Sequence, residues 1–195
     1  MPKLVIFDLD DTILHLGIDW KAVKEEIAVL AERSGADVDK REHLVSIGNR
    51  LSKLPGMKEA IDRIYLRYES ECAEKRAYTV FPAMISIIKE LKEKGHMVAI
   101  ASGNHSSTIR LILSQEGVSG LFDMICGRDM VEKNKPDPEE LLLIIERLGA
   151  DRKNTIFIGD SINDINAAKA AGVSHFHIKK DPRPDMARLR KLLLG

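Results

Sequence analysis

The chain has 195 residues, 44% of them hydrophobic and 31% charged, with Lys plus Arg at 30 and Asp plus Glu at 30. This is the make-up of an ordinary globular protein with one sizeable core, or a core and a small accessory domain. A formal net charge of zero argues against a polyanion-binding surface, so no nucleic-acid partner is expected, and no apolar run approaches a membrane span, so neither is a membrane. Cys72 and Cys126 lie far apart, outside any metal-ligand pattern, and read as thiols of a reducing, cytoplasmic compartment.

The run Leu4-Val5-Ile6-Phe7 reads as a strand buried on both faces, and it delivers Asp8, Asp10 and Asp11 at its end. Clustered carboxylates repel one another and are costly to bury. A bound cation would remove the conflict, because Asp oxygens are hard ligands suited to Mg2+. A turn in which the aspartates cap the next segment accounts for them equally well. Residues 13–19 follow as a short connector containing His15.

From Trp20 the apolar positions Val23, Ile27 and Leu30 step by three and four, predicting a helix capped by Asp19 and stopped at Ser34-Gly35. A second helix is expected from about Asp39 to Leu51. A third runs from about Met57 to Ala77, after the break Leu54-Pro55-Gly56. Residues 20–77 therefore read as a small helical bundle inserted after the first strand.

Strands and helices alternate from there on. A helix over about Pro82–Lys94 precedes a strand at Met97–Ala101, and Ser102-Gly103-Asn104 opens the next helix. A third strand is expected at Leu121–Cys126, and a polar loop leads to a helix at Glu139–Leu148. The strand Thr155–Gly159 ends at Asp160, a helix ends at Gly172, and Val173–Ile178 forms a last strand before a terminal helix. This alternation predicts an α/β fold, a Rossmann-like parallel sheet with helices on both faces, carrying a small all-helical domain. The expected boundaries are 1–14 and 80–195 for the core and 15–79 for the insertion.

The chemistry-bearing residues fall at the carboxyl ends of the strands, where such sheets bind ligands. If the chain curls over the first strand end, Asp8 and Asp10 face one pocket, one as a nucleophile toward phosphorus and the other to handle a proton. Ser102, Gly103 and Asn104 make a phosphate-sized loop, or simply a helix cap. In Lys135-Pro136-Asp137-Pro138-Glu139-Glu140, helix-start chemistry accounts for most positions: Asp137 as N-cap, Pro138 at the first turn and Glu140 in a capping box. Lys135 is left over by that account. Asp160 and Asp164, four residues apart, can both reach a cation beside Asp8, although the helix dipole alone also favours Asp164.

Together the four motifs Phe7-Asp8-Leu9-Asp10-Asp11-Thr12, Ala101-Ser102-Gly103-Asn104, Lys135-Pro136-Asp137-Pro138 and Gly159-Asp160-Ser161-Ile162-Asn163-Asp164 resemble those of the haloacid dehalogenase superfamily of phosphohydrolases. The helical insertion is similar to the cap of phosphoglycolate-phosphatase-like members. The resemblance implies Asp8 as the nucleophile that becomes an aspartyl-phosphate, and Asp10 as the acid that protonates the leaving alcohol and later activates water. It implies Ser102 and Lys135 on the phosphoryl group, with Mg2+ held by Asp8, the Asp10 carbonyl and Asp160, and Asp164 supporting it directly or through water. Asp11 stands where many members have glycine.

A Mg2+-dependent phosphatase of a small phosphate ester, monomeric or homodimeric, is thus expected. A sugar-phosphate mutase of the β-phosphoglucomutase type keeps the same residues, and a phospho-accepting or phosphate-binding protein is the alternative from another class. Arg50 and Lys53 near the break in the helical stretch, and His15 on the connector, are the candidates for substrate specificity, with solvated helix ends and simple packing as their plainer explanations.

Overall fold

The computed structural model describes residues 3–38, 42, 44–179 and 183–195. The expected start of the second helix at Asp39 lies outside the described residues. The chain forms two compact units, Met1–Leu16 with Tyr78–Gly195, and Gly17–Ala77.

The first unit begins with β1 (Leu4–Phe7), every residue of which is buried. A short strand β2 (Leu14–Leu16) follows. In the second unit α1 (Trp20–Arg33) starts at Asp19, whose carboxylate accepts from the backbone N–H groups of Lys21 and Ala22 at 3.1 and 3.0 Å. With α2 (Leu44–Leu51) and α3 (Met57–Glu74) it buries Val23, Ile27, Ala31, Ile47, Leu51, Ile61 and Ile64, the stripe set by the three-and-four spacing.

The first unit resumes at β3 (Tyr78–Val80), followed by α4 (Pro82–Glu93), β4 (Met97–Ser102), α5 (Ser106–Gln115) and β5 (Met124–Gly127). It ends with α6 (Glu139–Arg147), β6 (Thr155–Gly159), α7 (Ile162–Ala171), β7 (Ser174–His177) and α8 (Arg183–Leu194). Five strands form a parallel sheet in the order β5-β4-β1-β6-β7. Connections β1 to β4 and β4 to β5 run toward one edge of the sheet, and β5 to β6 to β7 toward the other. Right-handed crossovers then place α4 and α5 on one face and α6 and α7 on the opposite face. Leu4 and Ile6 pack with Ala99, Ala101, Leu141, Ile144, Phe157 and Ala168 on the α6–α7 side. The reversal of direction falls at β1, so the crevice at its carboxyl end is the place for a ligand.

Two expectations change. The connector at 13–19 is not a plain loop: its β2 pairs antiparallel with β3, Leu14 with Val80, His15 with Thr79 and Leu16 with Tyr78. Residues 15–16 and 78–79, expected with the helical insertion, therefore belong to the core unit. The strand expected from Leu121 begins only at Met124, because Ser119–Leu121 form a 3-10 turn and the Asp123 carboxylate accepts the Val98 N–H at 2.7 Å. Among the described residues no helix is long and apolar enough to cross a membrane.

Candidate active site

At the end of β1, Asp8 still belongs to the ladder through its N–H, which donates to the Ile158 carbonyl at 2.8 Å. The chain then closes tightly, with the N–H groups of Thr12, Ile13 and Leu14 all directed at the Leu9 carbonyl. This turn needs a left-handed residue, and Asp11 supplies it at φ 55°. Asp is among the residues that accept that conformation, and glycine accepts it more readily. Asp11 thus stands at a position of backbone shape, its carboxylate paired with His15 Nδ1 at 2.7 Å.

Asp10 is held by the short ribbon, the Leu16 N–H donating to its Oδ1 at 2.8 Å. β2 is therefore a positioning element that the sequence pattern did not disclose.

Lys135 binds the parts of the site together. Its Nζ donates to Asp8 Oδ1 at 2.6 Å, to Asp164 Oδ1 at 2.7 Å and to the Ala101 carbonyl at 3.1 Å, so all three ammonium protons are in use. The side chains of Lys135, Asp8 and Asp164 are 9%, 10% and 4% exposed. Lys135 is no solvated loop lysine, as its neighbour Lys133 is.

Asp164 has a second attachment. It forms a capping box with Ser161, its Oδ2 accepting from the Ser161 N–H at 3.0 Å and the hydroxyl at 2.6 Å, while its own N–H donates to Ser161 Oγ at 3.1 Å. Asp164 therefore caps the helix, as its place in the first turn led one to expect, and in addition pairs with Lys135, a contact that was not expected. A Cβ on Gly159 would lie 2.6 Å from Asp164 Cγ, so only glycine at the end of β6 permits this approach. Ser161 was readable as half of a capping box, Ser161-x-x-Asp164, and was missed.

Ser102 is buried, donates to Asn104 Oδ1 at 3.0 Å and accepts the Asn104 N–H at 3.2 Å. The first N–H groups of α5 are already taken: Ser106 donates to Asp129 at 2.7 Å and Ser107 to His105 Nδ1 at 3.2 Å. The candidate phosphate loop is thus confined to Ser102, Gly103 and Asn104. Arg128 closes it from behind, its backbone N–H donating to the Asn104 carbonyl at 3.1 Å and its guanidinium to the Gly103 carbonyl at 3.2 Å. Arg128 and Asp129 follow β5 directly, and a charged pair at a strand end was the available signal for them.

The expected helix start at 137–140 is corrected. Pro138 is the N-cap, Asp137 accepts the Glu139 N–H at 3.2 Å, and Glu140 makes no capping box. Glu140 is fully buried, because it falls on the stripe of α6 that packs against the sheet with Leu141 and Ile144.

Of the specificity candidates, His15 lies in the core unit against Asp11. Arg50 and Lys53 belong to the helical unit, where the Arg50 guanidinium engages Glu42 at 3.0 Å and the Asp37 carbonyl at 3.1 Å, and Lys53 is exposed.

The carboxyl oxygens of Asp8, Asp160 and Asp164 come within 4.8 Å of one another. These three carboxylates face one ammonium, which leaves two negative charges, the amount a divalent cation neutralises. The protonation behaviour reflects that imbalance. Burial pushes the Asp8 carboxyl well up against the pull of Lys135, with Asp164 and Asp160 adding to the rise. Burial also works against the Lys135 charge, but Asp8 and Asp164 outweigh it and hold the ammonium above its ordinary range. Asp164 is buried too, yet Lys135 and the Ser161 donors keep it below the usual carboxylate range. Burial, then the charges of Asp164 and Asp11, raise Asp160 to about 6. Asp10 also rises to about 6, by burial first, against the Leu16 N–H and with the Asp11 charge adding. The donor set is all oxygen and fits a hard divalent cation.

Comparison with known proteins places the chain among phosphatases and hydrolases of one family. A probable phosphatase, IndB, of Dickeya dadantii (strain 3937) is 33% identical over 187 residues, covering 89% of this chain and 80% of its own. Phosphoglycolate phosphatase 1 of Pseudomonas aeruginosa is 29% identical over 184 residues, covering 89% and 68%. The crystal structure of a phosphatase of this class from Thermococcus onnurineus superposes with a TM-score of 0.70 at 27% identity, covering 99% of this chain and 98% of that one. The family model for haloacid dehalogenase-like hydrolases matches residues 5–178, and the chain belongs to that family.

Proposed function

We propose that this hydrolase is a Mg2+-dependent phosphatase of small phosphate monoesters that works through an aspartyl-phosphate on Asp8. The observation that carries the reading is Lys135, buried and fully engaged between Asp8 and Asp164 while Asp160 adds a third carboxylate beside them. No purely structural account requires three carboxylates at a strand end with charge left over.

A phosphate ester would sit at the Ser102–Asn104 loop with its phosphorus in front of Asp8. Asp8 Oδ attacks phosphorus, the ester P–O bond breaks, and Asp10 gives its proton to the leaving alcohol oxygen. A carboxyl raised to about 6 can hold that proton near neutral pH. Asp10, now a carboxylate, then takes a proton from water. The water oxygen attacks phosphorus, the P–O bond to Asp8 breaks, and inorganic phosphate leaves. Lys135 meets the charge on the equatorial oxygens and holds Asp8 in place. Asp8 and Asp160 would hold the cation with the Asp10 carbonyl, and Asp164, both of whose oxygens already accept donors, steadies Lys135 and adds charge. When bound, the cation lowers the repulsion between the Asp8 carboxylate and the anionic phosphoryl group.

Relatives named phosphoglycolate phosphatase make 2-phosphoglycolate the first ester to test, followed by sugar phosphates and nucleotides. The assay is phosphate release from that panel, with Mg2+ and with EDTA. Release that requires Mg2+ is expected. Hydrolysis unaffected by EDTA, or isomerisation of a sugar phosphate without phosphate release, would contradict the reading.

A further inference from the structure

Arg128 is a buried arginine, 8% exposed, set behind the candidate phosphate loop. Arginine is seldom buried unless its charge or its donors are engaged. Two of its donors serve one short stretch of backbone. The guanidinium donates to the Gly103 carbonyl at 3.2 Å and the main-chain N–H to the Asn104 carbonyl at 3.1 Å. The residues on either side of Arg128 serve the same stretch. Gly127 pairs with Ser102 in the sheet, and a Cβ on it would lie 2.4 Å from the Ser106 nitrogen and 2.7 Å from the Asn104 oxygen. Asp129 accepts the Ser106 N–H and the Ser106 hydroxyl, both at 2.7 Å. The segment 127–129 thus grips residues 102–106 from the β5 side.

The two carbonyl contacts decide which edge of the loop meets a ligand. A trans peptide carries its C=O and N–H on opposite edges, and both peptides here are trans. With the Gly103 and Asn104 oxygens held by Arg128, the N–H groups of Asn104 and His105 are turned the other way. The first of them donates to Ser102 Oγ at 3.2 Å, so this edge lies toward the hydroxyl assigned to the phosphate. The loop has little of its own to keep that orientation. Gly103 has no Cβ to limit rotation of the peptide after it, and a Cβ placed there would meet nothing within 4 Å. Turned over, the Gly103 peptide would set its carbonyl oxygen against the phosphoryl oxygens, negative end to negative charge.

We propose that Arg128 is the positioning residue of the phosphate loop, which by holding two successive carbonyls keeps the N–H edge toward the phosphate. The inference rests on the reading of Ser102–Asn104 as that loop. Such a loop holds the phosphate of the bound ester and the phosphoryl group in transfer alike. Losing its orientation weakens both, so KM rises while kcat changes little. General damage to the core has no reason to produce that split. Lysine retains a cationic donor for the Gly103 carbonyl, whereas methionine and leucine retain neither charge nor donor.

The test is steady-state hydrolysis of p-nitrophenyl phosphate in Mg2+ by Arg128→Met, Arg128→Leu and Arg128→Lys. Inorganic phosphate serves as competitive inhibitor, and thermal melting checks the fold. The apolar variants are expected to raise KM and the phosphate inhibition constant together by about tenfold, the worth of a hydrogen bond from a charged donor, with kcat within about threefold of wild type. Arg128→Lys is expected to stay within about threefold on both constants, because a carbonyl acceptor, unlike a bidentate fork, does not need the guanidinium plane. Wild-type KM and phosphate inhibition in a folded apolar variant would overturn the proposal. So would a loss confined to kcat, a lysine variant as impaired as the apolar ones, or the failure of both apolar variants to fold. If the wild type hydrolyses no ester, the phosphatase reading fails by itself. Calorimetric phosphate binding by wild type and Arg128→Met then judges Arg128 on the same tenfold criterion, and a wild type that binds no phosphate overturns both.

Discussion

Replacing Lys135 with methionine removes the ammonium that stands against Asp8 and Asp164, at 2.6 and 2.7 Å. Both carboxylates are about as buried as the lysine, so no solvent takes over its part. Breaking a buried ion pair by removing one partner costs about 3–5 kcal/mol. The cost depends on pH, and its sign follows from the direction of the shifts. Burial already raises Asp8, and Lys135 is the main influence lowering Asp8 and Asp164. Without it both folded-state values lie above their unfolded ones. The variant then keeps its stability below the ordinary carboxylate range and loses it as pH rises, because the folded form binds more protons than the unfolded form.

The gap to wild type therefore opens as pH rises through the ordinary carboxylate range and is larger at pH 8 than at pH 5. For a chain of this size about 1 kcal/mol moves the melting midpoint by about 2–4 °C, so the expected loss at pH 8 is roughly 6–20 °C. Circular dichroism melts in EDTA at the two pH values measure it, and adding Mg2+ should recover part of the loss. Equal midpoints at pH 8, or a larger loss at pH 5, would refute the charge balance assigned to the site.

Other outcomes follow from the same geometry. Asp10, raised to about 6, holds the acid proton below that pH, so kcat/KM for an alkyl phosphate should fall about tenfold per pH unit above it. p-Nitrophenyl phosphate, whose leaving group needs no proton, should lack that limb, and identical profiles would remove Asp10 as the acid. Asp11→Gly should leave kcat within a few-fold and stability within about 1 kcal/mol, because glycine accepts the left-handed backbone at φ 55°. A hundredfold loss of kcat there would show that the Asp11 carboxylate takes part in the chemistry. The Cys126 thiol, buried and pushed up to about 12, and the buried Cys72 should resist a thiol reagent in the native protein. Rapid labelling of either would contradict their placement.

The parts of the molecule legible in sequence were those set by local pattern. Apolar runs ending in carboxylates marked β1 and β6, and three-and-four spacing marked the helices. The direction of the strands followed from their alternation with helices. What pairs across long separations was not legible. Leu14–Leu16 and Tyr78–Val80 are three residues each and find each other only after the helical unit intervenes, so neither carries a strand signal of its own. That ribbon holds Asp10, and half of the placement of the acid was therefore invisible. Glu140 shows a different limit. Its spacing after Asp137 matches a capping box, but the register of α6 turns it into the core. The competition between a polar cap and a buried stripe is decided by packing against the sheet. Lys135 was singled out only because helix-start chemistry left it unexplained, and its three contacts came from residues on β1, β4 and α7, or their ends.

The central claim is that phosphorus is transferred to Asp8. Brief mixing of the protein with a phosphate ester in Mg2+, followed by acid quench and mass spectrometry of the peptides, measures this directly. The account predicts a phosphoryl group on the peptide containing Asp8, present in Asp10→Asn and missing in Asp8→Asn, with turnover in Asp8→Asn lower by about a thousandfold or more. Ester hydrolysis at wild-type rate by a folded Asp8→Asn variant, or a phosphoryl group trapped on another residue, would contradict it.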